Sequence, residues 1–245
     1  MNLYERTVKR LHRWLLSSAL LGTVSVFGCT AVSAAPYNVN IIINPGAESD
    51  LAGWIPSGAF ETLPYGTSGG FPGAGSPGPS DRGERFFSGG PNNAASSATQ
   101  SISLADNASD IDLGVIAFEL SGYFGGFASQ NDWAALTVSF RDAGGTSLLS
   151  ETIGNVTASD RGNITGLLFR ETSGFVPAFT RDVLLTLNMT RVSGIYNDGY
   201  ADNLSLVLSS PQMVSEPETV VVLAMGLMAL GWARINRKVP PAGSA

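Results

Sequence analysis

Val183-Leu184-Leu185-Thr186-Leu187-Asn188-Met189-Thr190 decides the fold. Val183, Leu185, Leu187 and Met189 alternate with Leu184, Thr186, Asn188 and Thr190. Side chains of a strand point alternately to its two faces, so a period of two gives one uniformly apolar face. A helix would need apolar residues three and four apart instead. The same alternation recurs outward from this stretch. Leu204, Leu206 and Leu208 alternate with Ser205, Val207 and Ser209, and Leu136, Val138 and Phe140 with Thr137, Ser139 and Arg141. Ile116, Phe118 and Leu120 share a face opposite Ala117, Glu119 and Ser121. Further strands are expected near 39–43, 85–88, 98–104, 146–152 and 164–171. Asp142-Ala143-Gly144-Gly145, Asp160-Arg161-Gly162-Asn163 and Asn197-Asp198-Gly199 supply turns between them. About eight or nine short strands so punctuated predict one all-β domain, a β-sandwich, over 36–214. Gly66 to Gly83 is rich in Gly, Pro and Ser and has no apolar period. It predicts a long loop, and such loops are either functional or flexible.

Composition narrows the chemistry of this domain. Of the 245 residues, the one His (His12) and the one Cys (Cys29) both fall within the first 30. Between Pro36 and Val214 there is no His, Cys or Lys, and 7 Arg face 17 Asp plus Glu, a balance of 7 − 17 = −10. That excludes a Ser-His-Asp triad, a Cys nucleophile, a zinc site of the usual ligands and a disulfide. The acidity argues against nucleic acid, which is held by Lys and Arg. Carboxylates and backbone oxygens remain, and they suit hard cations such as calcium.

The two ends read as address labels. In residues 1–35, Arg6, Lys9, Arg10 and Arg13 precede the mostly apolar Trp14–Phe27, and small residues follow at Ala31, Ser33, Ala34 and Ala35. This is the pattern of a secretory signal peptide. An uncleaved anchor, or lipid attachment at Cys29, are its alternatives. In residues 215–245, Glu216 and Pro217 precede an uncharged apolar helix expected over 219–233, and Arg234, Arg237 and Lys238 follow. Fifteen helical residues span roughly 22 Å, short of the ~30 Å hydrocarbon core. Basic residues beyond the run favour the cytoplasmic side. This end is similar to a PEP-CTERM sorting signal, although Ser215 stands where the first Pro is expected and Val239–Ala245 extends past the basic cluster. The resemblance implies processing by an exosortase, transient contact of the tail helix with the inner membrane, and display at the cell surface or in the extracellular matrix of a Gram-negative bacterium. An ordinary C-terminal anchor is the alternative.

Three stretches of the middle resemble the galactose-binding-like jelly roll of carbohydrate-binding modules. They are Asn44-Pro45-Gly46-Ala47-Glu48 with Gly53-Trp54; Phe86-Phe87-Ser88-Gly89-Gly90 running on to Ala98–Ile102; and Asp198-Gly199-Tyr200-Ala201-Asp202-Asn203 leading into Leu204–Leu206. In that fold the first turn and the start of the last strand often lie together and hold a structural calcium. The resemblance implies Glu48 and Asp202 as its ligands, with Asn44 and Asp198 as weaker ones. Alternatively, Glu48 and Asp202 cap turns or pair with Arg181 or Arg191.

Sugar rings stack their C–H faces on exposed aromatics that stand beside polar side chains. Gln130-Asn131-Asp132-Trp133 offers Asp132 and Trp133, and Tyr123 ends the preceding strand. These three are the candidate carbohydrate contacts, whereas Trp54 is expected in the core. A glycosidase would need two close carboxylates, one with a raised pKa. Glu119, Asp132, Glu151 and Asp182 are available, but no spacing pairs them. The sequence therefore predicts a non-catalytic, exported protein that binds or organises extracellular polysaccharide. A structural or adhesive surface protein stabilised by calcium is the alternative, and a carboxylate-dependent glycosidase is less favoured.

Overall fold

The computed structural model describes residues 34–210. The leader over 1–35, apart from its last two residues, and the sorting tail over 215–245 lie outside the described residues. Ten strands run in chain order: β1 Ile55–Ser57, β2 Glu61–Pro64, β3 Arg85–Pro91, β4 Ala95–Ser103, β5 Ala117–Gly126, β6 Trp133–Arg141, β7 Ser147–Gly154, β8 Gly166–Phe175, β9 Asp182–Thr190 and β10 Tyr196–Ser209. A single turn of 3-10 helix, Ala105–Asn107, and a short helix α1, Ala108–Asp112, link β4 to β5.

The strands form two antiparallel sheets, ordered β1-β4-β9-β6-β7 and β2-β3-β10-β5-β8. Without β1 and β2, the remaining eight interleave as β4-β9-β6-β7 over β3-β10-β5-β8. Consecutive strands from β3 to β10 thus lie in opposite sheets, except for the hairpin β6–β7 within one sheet, which is the arrangement of a jelly roll. The β-sandwich expected from the alternation is the fold observed.

Period two explains the core. Val183, Leu185, Leu187 and Met189 of β9 are buried, as are Leu136, Val138 and Phe140 of β6. They face Phe118, Leu120 and Phe124 of β5 and Leu204, Leu206 and Leu208 of β10. Each such side chain contributes about 1.5–3 kcal/mol by leaving water. Trp54 packs edge-on against Phe87 with ring centroids 5.6 Å apart, and it is buried as expected.

Two local readings are corrected. The strand expected at 39–43 is a single bridge, Asn40 to Val207. Asn38 N and Ile41 N donate to Leu208 O and Leu206 O, and beyond them Asn40 uses its side chain: its amide nitrogen donates to Leu204 O, and its oxygen accepts from the N–H of Ile42 and of Leu206. Asn197-Asp198-Gly199 is not a turn between strands but an irregularity inside β10, where its register on β3 shifts between Asn197 and Tyr200. A second shift, between Asp202 and Ser205, sits at Asn203, whose φ is +44°. The extra residue resets the alternation, so Ala201 and Leu204 both face the core while Tyr200 and Asp202 face outward. Among the described residues no helix is long and apolar enough to cross a membrane.

Candidate functional site

The adjacent pair Phe86-Phe87 shows how the second sheet is used on both sides. Phe87 enters the main core, while Phe86 points the other way. On that outer face Phe86, Leu167 and Tyr200 form a separate buried cluster, with Leu63, Tyr65, Phe71, Tyr123, Phe127 and Tyr196 packed around it. The Gly-rich segment 66–83 covers part of this face. Phe71 packs against Tyr196 at 5.1 Å and Tyr200 at 6.0 Å, and Leu167 N donates to Pro77 O (2.9 Å). Arg82 ties the segment to itself by donating to Pro79 O, Gly73 O and Ser76 O. The expected loop is therefore ordered, and it is built against the sheet.

The part of the face over β5 and β8 is open. Tyr123 pairs in register with Phe169, and their rings meet edge to face at 5.4 Å. Phe169 is 44% exposed, and Phe175, six residues along the same face, is 66% exposed. Six strand residues span roughly 20 Å. Between the two rings Glu119 pairs with Ser173, and Ser121 with Glu171. The two glutamates are thus diagonal neighbours, about 7–8 Å apart at the backbone. A cavity of about 370 Å³ is lined by Glu119, Glu171, Thr172 and Ser173. Aromatic faces flanking carboxylates and hydroxyls can stack a sugar ring and accept from its hydroxyls. Of the three sugar contacts expected from sequence, this face contains Tyr123. Phe169 and Phe175 were missed because a phenylalanine in an alternating strand reads as core until the sheet order shows which side it faces.

The other two expected contacts lie elsewhere. Trp133 opens β6 with the parity opposite to the buried Ala134, Leu136, Val138 and Phe140. It therefore stands half-buried on the outer face of the first sheet, on the far side of the sandwich from Tyr123. Asp132 is a correction: it has no exposed surface. Its Oδ1 accepts from Val192 N (2.7 Å) and Ser193 N (3.0 Å), and its Oδ2 from Asp198 N (2.9 Å). Those bonds fasten the β9–β10 connection and leave no route for a sugar hydroxyl.

The first turn and the last strand do meet. Leu204 N donates to Pro45 O (3.0 Å), and a Cβ built on Gly46 would stand 3.3 Å from Asp202 Oδ1 and from Asn203 Oδ1. Asp202 is fully buried. Its oxygens accept from the Tyr65 hydroxyl (2.6 Å) and Asn203 N (2.7 Å), and Asn203 Nδ2 donates to Asp81 (2.9 Å). Burial pushes the Asp202 carboxyl up to about 7 against these hydrogen bonds, helped by the negative charges of Glu48 and Asp81. The Glu48 carboxylate accepts from Glu84 N and Arg85 N, a contact that leaves no room for a Cβ at Gly83, whose φ is +63°. Arg181 pairs with Asp112 and Arg191 donates to Ile195 O, so neither pairs with Glu48 or Asp202.

Asn44 and Asp198 are spent on other bonds. The Asn44 amide closes its own turn, donating to Asp50 O and accepting from Ser49 N. Asp198 accepts from the Tyr200 hydroxyl, and burial, with Asp132 beside it, raises its carboxyl. The structure separates Asp198 from the Glu48–Asp202 region, while Asp81 and Asn203 join that region without having been expected. Asp81 lies 122 residues from its partner, beyond the reach of local sequence reading.

The fold defines the chain as a jelly-roll β-sandwich. No protein-family model matches the sequence, and no curated protein matches it. Several solved structures are similar in arrangement. A family 16 carbohydrate-binding module is 19% identical, with a TM-score of 0.46 over 69% of this chain and 99% of that one. A family 61 carbohydrate-binding module solved with β-1,4-galactotriose is 17% identical, with a TM-score of 0.42 over 70% and 99%. The enzymatically active domain of tailspike protein 4 of bacteriophage CBA120 is also 17% identical with a TM-score of 0.42, but the match spans 69% of this chain and only 21% of that protein. What each of those binds or cleaves is a property of that protein; a ligand for this chain rests on its own side chains.

Proposed function

We propose that this protein is a non-catalytic polysaccharide-binding module that is exported and displayed at the bacterial surface or in its matrix. The observation that carries this reading is the exposed Phe169, set beside Tyr123 on an ordered sheet face with Glu119, Glu171 and Ser173 next to it. Sheet residues hold such groups more rigidly than loops do, which lowers the ordering cost of binding. Catalysis is disfavoured because the two carboxyls raised by burial, Asp198 and Asp202, are engaged by tyrosine hydroxyls and lie off the open face. Export rests on the leader-like residues 1–35 and the sorting-like tail 215–245. An exosortase would act on the latter while its helix contacts the inner membrane. A glycan array probed with the full chain tests the reading, and binding to no glycan on the array would overturn it.

A structural calcium is a second element of the proposal, favoured by one observation. Asp202 is a buried acid beside Glu48 and Asp81, and no Arg is among its partners. Among the described residues no three His, Cys, Asp or Glu side chains form a metal site by themselves. The ion would therefore draw mainly on the Asp202 and Glu48 carboxylates together with the Asn203 side chain and backbone carbonyls, an all-oxygen set of the kind calcium takes. When bound it would neutralise the buried acid and fasten the first turn to the last strand. Calorimetry that detects no calcium binding would remove this element and leave the glycan reading in place.

A further inference from the structure

Segment 66–83 has the construction of a separate moving part. It contains 7 Gly, 3 Pro and 3 Ser among its 18 residues. Its shape is held from within by the three carbonyls that Arg82 engages and by Gly66 N donating to Pro72 O (2.8 Å). Both ends are glycines in the left-handed region, Gly66 at φ +80° with open space around its Cα and Gly83 at φ +63°. Its ties outside itself are the Phe71 ring, the Phe127 ring against Gly70, the Arg82 guanidinium 5.1 Å over the Tyr65 ring, Leu167 N to Pro77 O, and Asn203 to Asp81, with Pro72 and Pro79 buried. Beneath it the cluster of Phe86, Leu167 and Tyr200 is distinct from the main core, so uncovering it leaves the sandwich packing intact.

What lies below also has the chemistry of a sugar cradle. The Tyr196 hydroxyl reaches Glu61 (2.6 Å) and Ser88 (2.8 Å), and the Tyr200 hydroxyl reaches Asp198, so rings and hydrogen-bonding groups alternate across the floor. Phe71, lying against both tyrosine rings, fills the place where the apolar face of a pyranose would stack.

We propose that segment 66–83 is a hinged lid, plugged by Phe71, over a second carbohydrate subsite whose floor is Phe86, Tyr196 and Tyr200. Lifting it about Gly66 and Gly83 continues the open β5–β8 face across β10 to β3. The site so enlarged takes a polysaccharide chain of several residues rather than a single sugar. This inference rests on the glycan reading for its ligand, but lid opening is measurable without any glycan.

A Cβ built on Gly166 would stand 3.0 Å from Pro77 Cβ and 2.8 Å from Pro77 O, so cysteines at these positions are close enough to be joined once the backbone at Pro77 gives way, and the reduced double-cysteine variant is therefore compared with wild type as well. The full chain carrying Cys29→Ser, Pro77→Cys and Gly166→Cys is compared oxidised and reduced by hydrogen–deuterium exchange. Reduction should speed exchange of the 66–83 amides by at least about tenfold while the β9 amides stay protected. A second variant, Phe71→Ala, guards against a strained disulfide. It should speed the same amides and bind the neutral dye Nile red at the uncovered floor. Amides of 66–83 as slow as those of β9 in the reduced protein, or unchanged by Phe71→Ala, would overturn the lid. If the lid opens but the full chain retains no array glycan, only the glycan reading fails.

Discussion

The two outer faces of the sandwich share one core and one alternation, yet they present opposite chemistry. On the β2-β3-β10-β5-β8 sheet the outward residues include Phe86, Tyr200, Tyr123, Phe169 and Phe175, with carboxylates among them and a loop laid over one half. On the β1-β4-β9-β6-β7 sheet Thr99, Thr186, Thr137 and Thr152 stand in register across four strands, and Ser101, Leu184, Ser139 and Ser150 form the next row. Threonine suits a pleated surface and needs no partner beyond water or its neighbour, as the Thr137–Thr152 hydroxyl contact of 2.9 Å illustrates. The inward half of each strand makes the fold, so the outward half is free to differ. One outward half exposes phenylalanine and tyrosine rings beside carboxylates, and the other is mostly threonine and serine with Trp133 at one end.

The largest expected effect comes from Asp132, expected as a sugar contact and found without exposed surface. Asp132→Ala leaves the buried Asp198 N and the part-buried Val192 N and Ser193 N without their acceptor and should cost about 2 kcal/mol or more in chemical denaturation. A loss under about 1 kcal/mol would mean that the carboxylate is not the fastener of the β9–β10 connection.

Asp202 comes next. Its folded carboxyl lies near 7, above the ordinary unfolded value. Between roughly pH 4 and 7 the folded protein therefore keeps a proton that the unfolded chain has released. In the absence of calcium its contribution is fully present below that window and is lost as pH rises through it. Asp202→Asn should flatten this slope of melting temperature against pH. The proposed calcium would act on the ionised form, so it should raise the melting temperature more at pH 8 than at pH 5, and Asp202→Asn should abolish that rise. A wild-type melting temperature that does not fall with pH in the chelated protein would contradict the assignment.

The smallest effect is expected on the hydroxyl face. Thr137→Ala should change stability by no more than about 0.5 kcal/mol and leave glycan retention unchanged. A loss of retention there would break the contrast between the faces.

How much of this was legible in sequence follows from how far each feature reaches. The strands of 183–190, 204–208 and 136–140 were readable because period two is a local signal. The bulge at Asn203 was not, since the alternation on either side of it looks intact and only pairing shows the extra residue. For the same reason 39–43 read as a strand, although after two backbone bonds to β10 the side chain of Asn40 replaces the rest of the ladder. Glu48 and Asp202 were matched through a resemblance and do lie in one region, but Asp81 reaches that region only through the long loop. Asp132 and Trp133 read alike, as a polar turn beside an aromatic. One turned inward to three backbone donors and the other to the far face, and no sequence spacing distinguishes those outcomes.

The central claim is that the open β5–β8 face holds polysaccharide. Affinity electrophoresis of the full chain through a panel of gels each containing one neutral polysaccharide tests it with wild type beside Phe169→Ala and Trp133→Ala. The account predicts that at least one polysaccharide retards the wild type, that Phe169→Ala abolishes the retardation without lowering the melting temperature, and that Trp133→Ala keeps it. Retardation that survives Phe169→Ala and is lost in Trp133→Ala would place the ligand on the opposite face and contradict it.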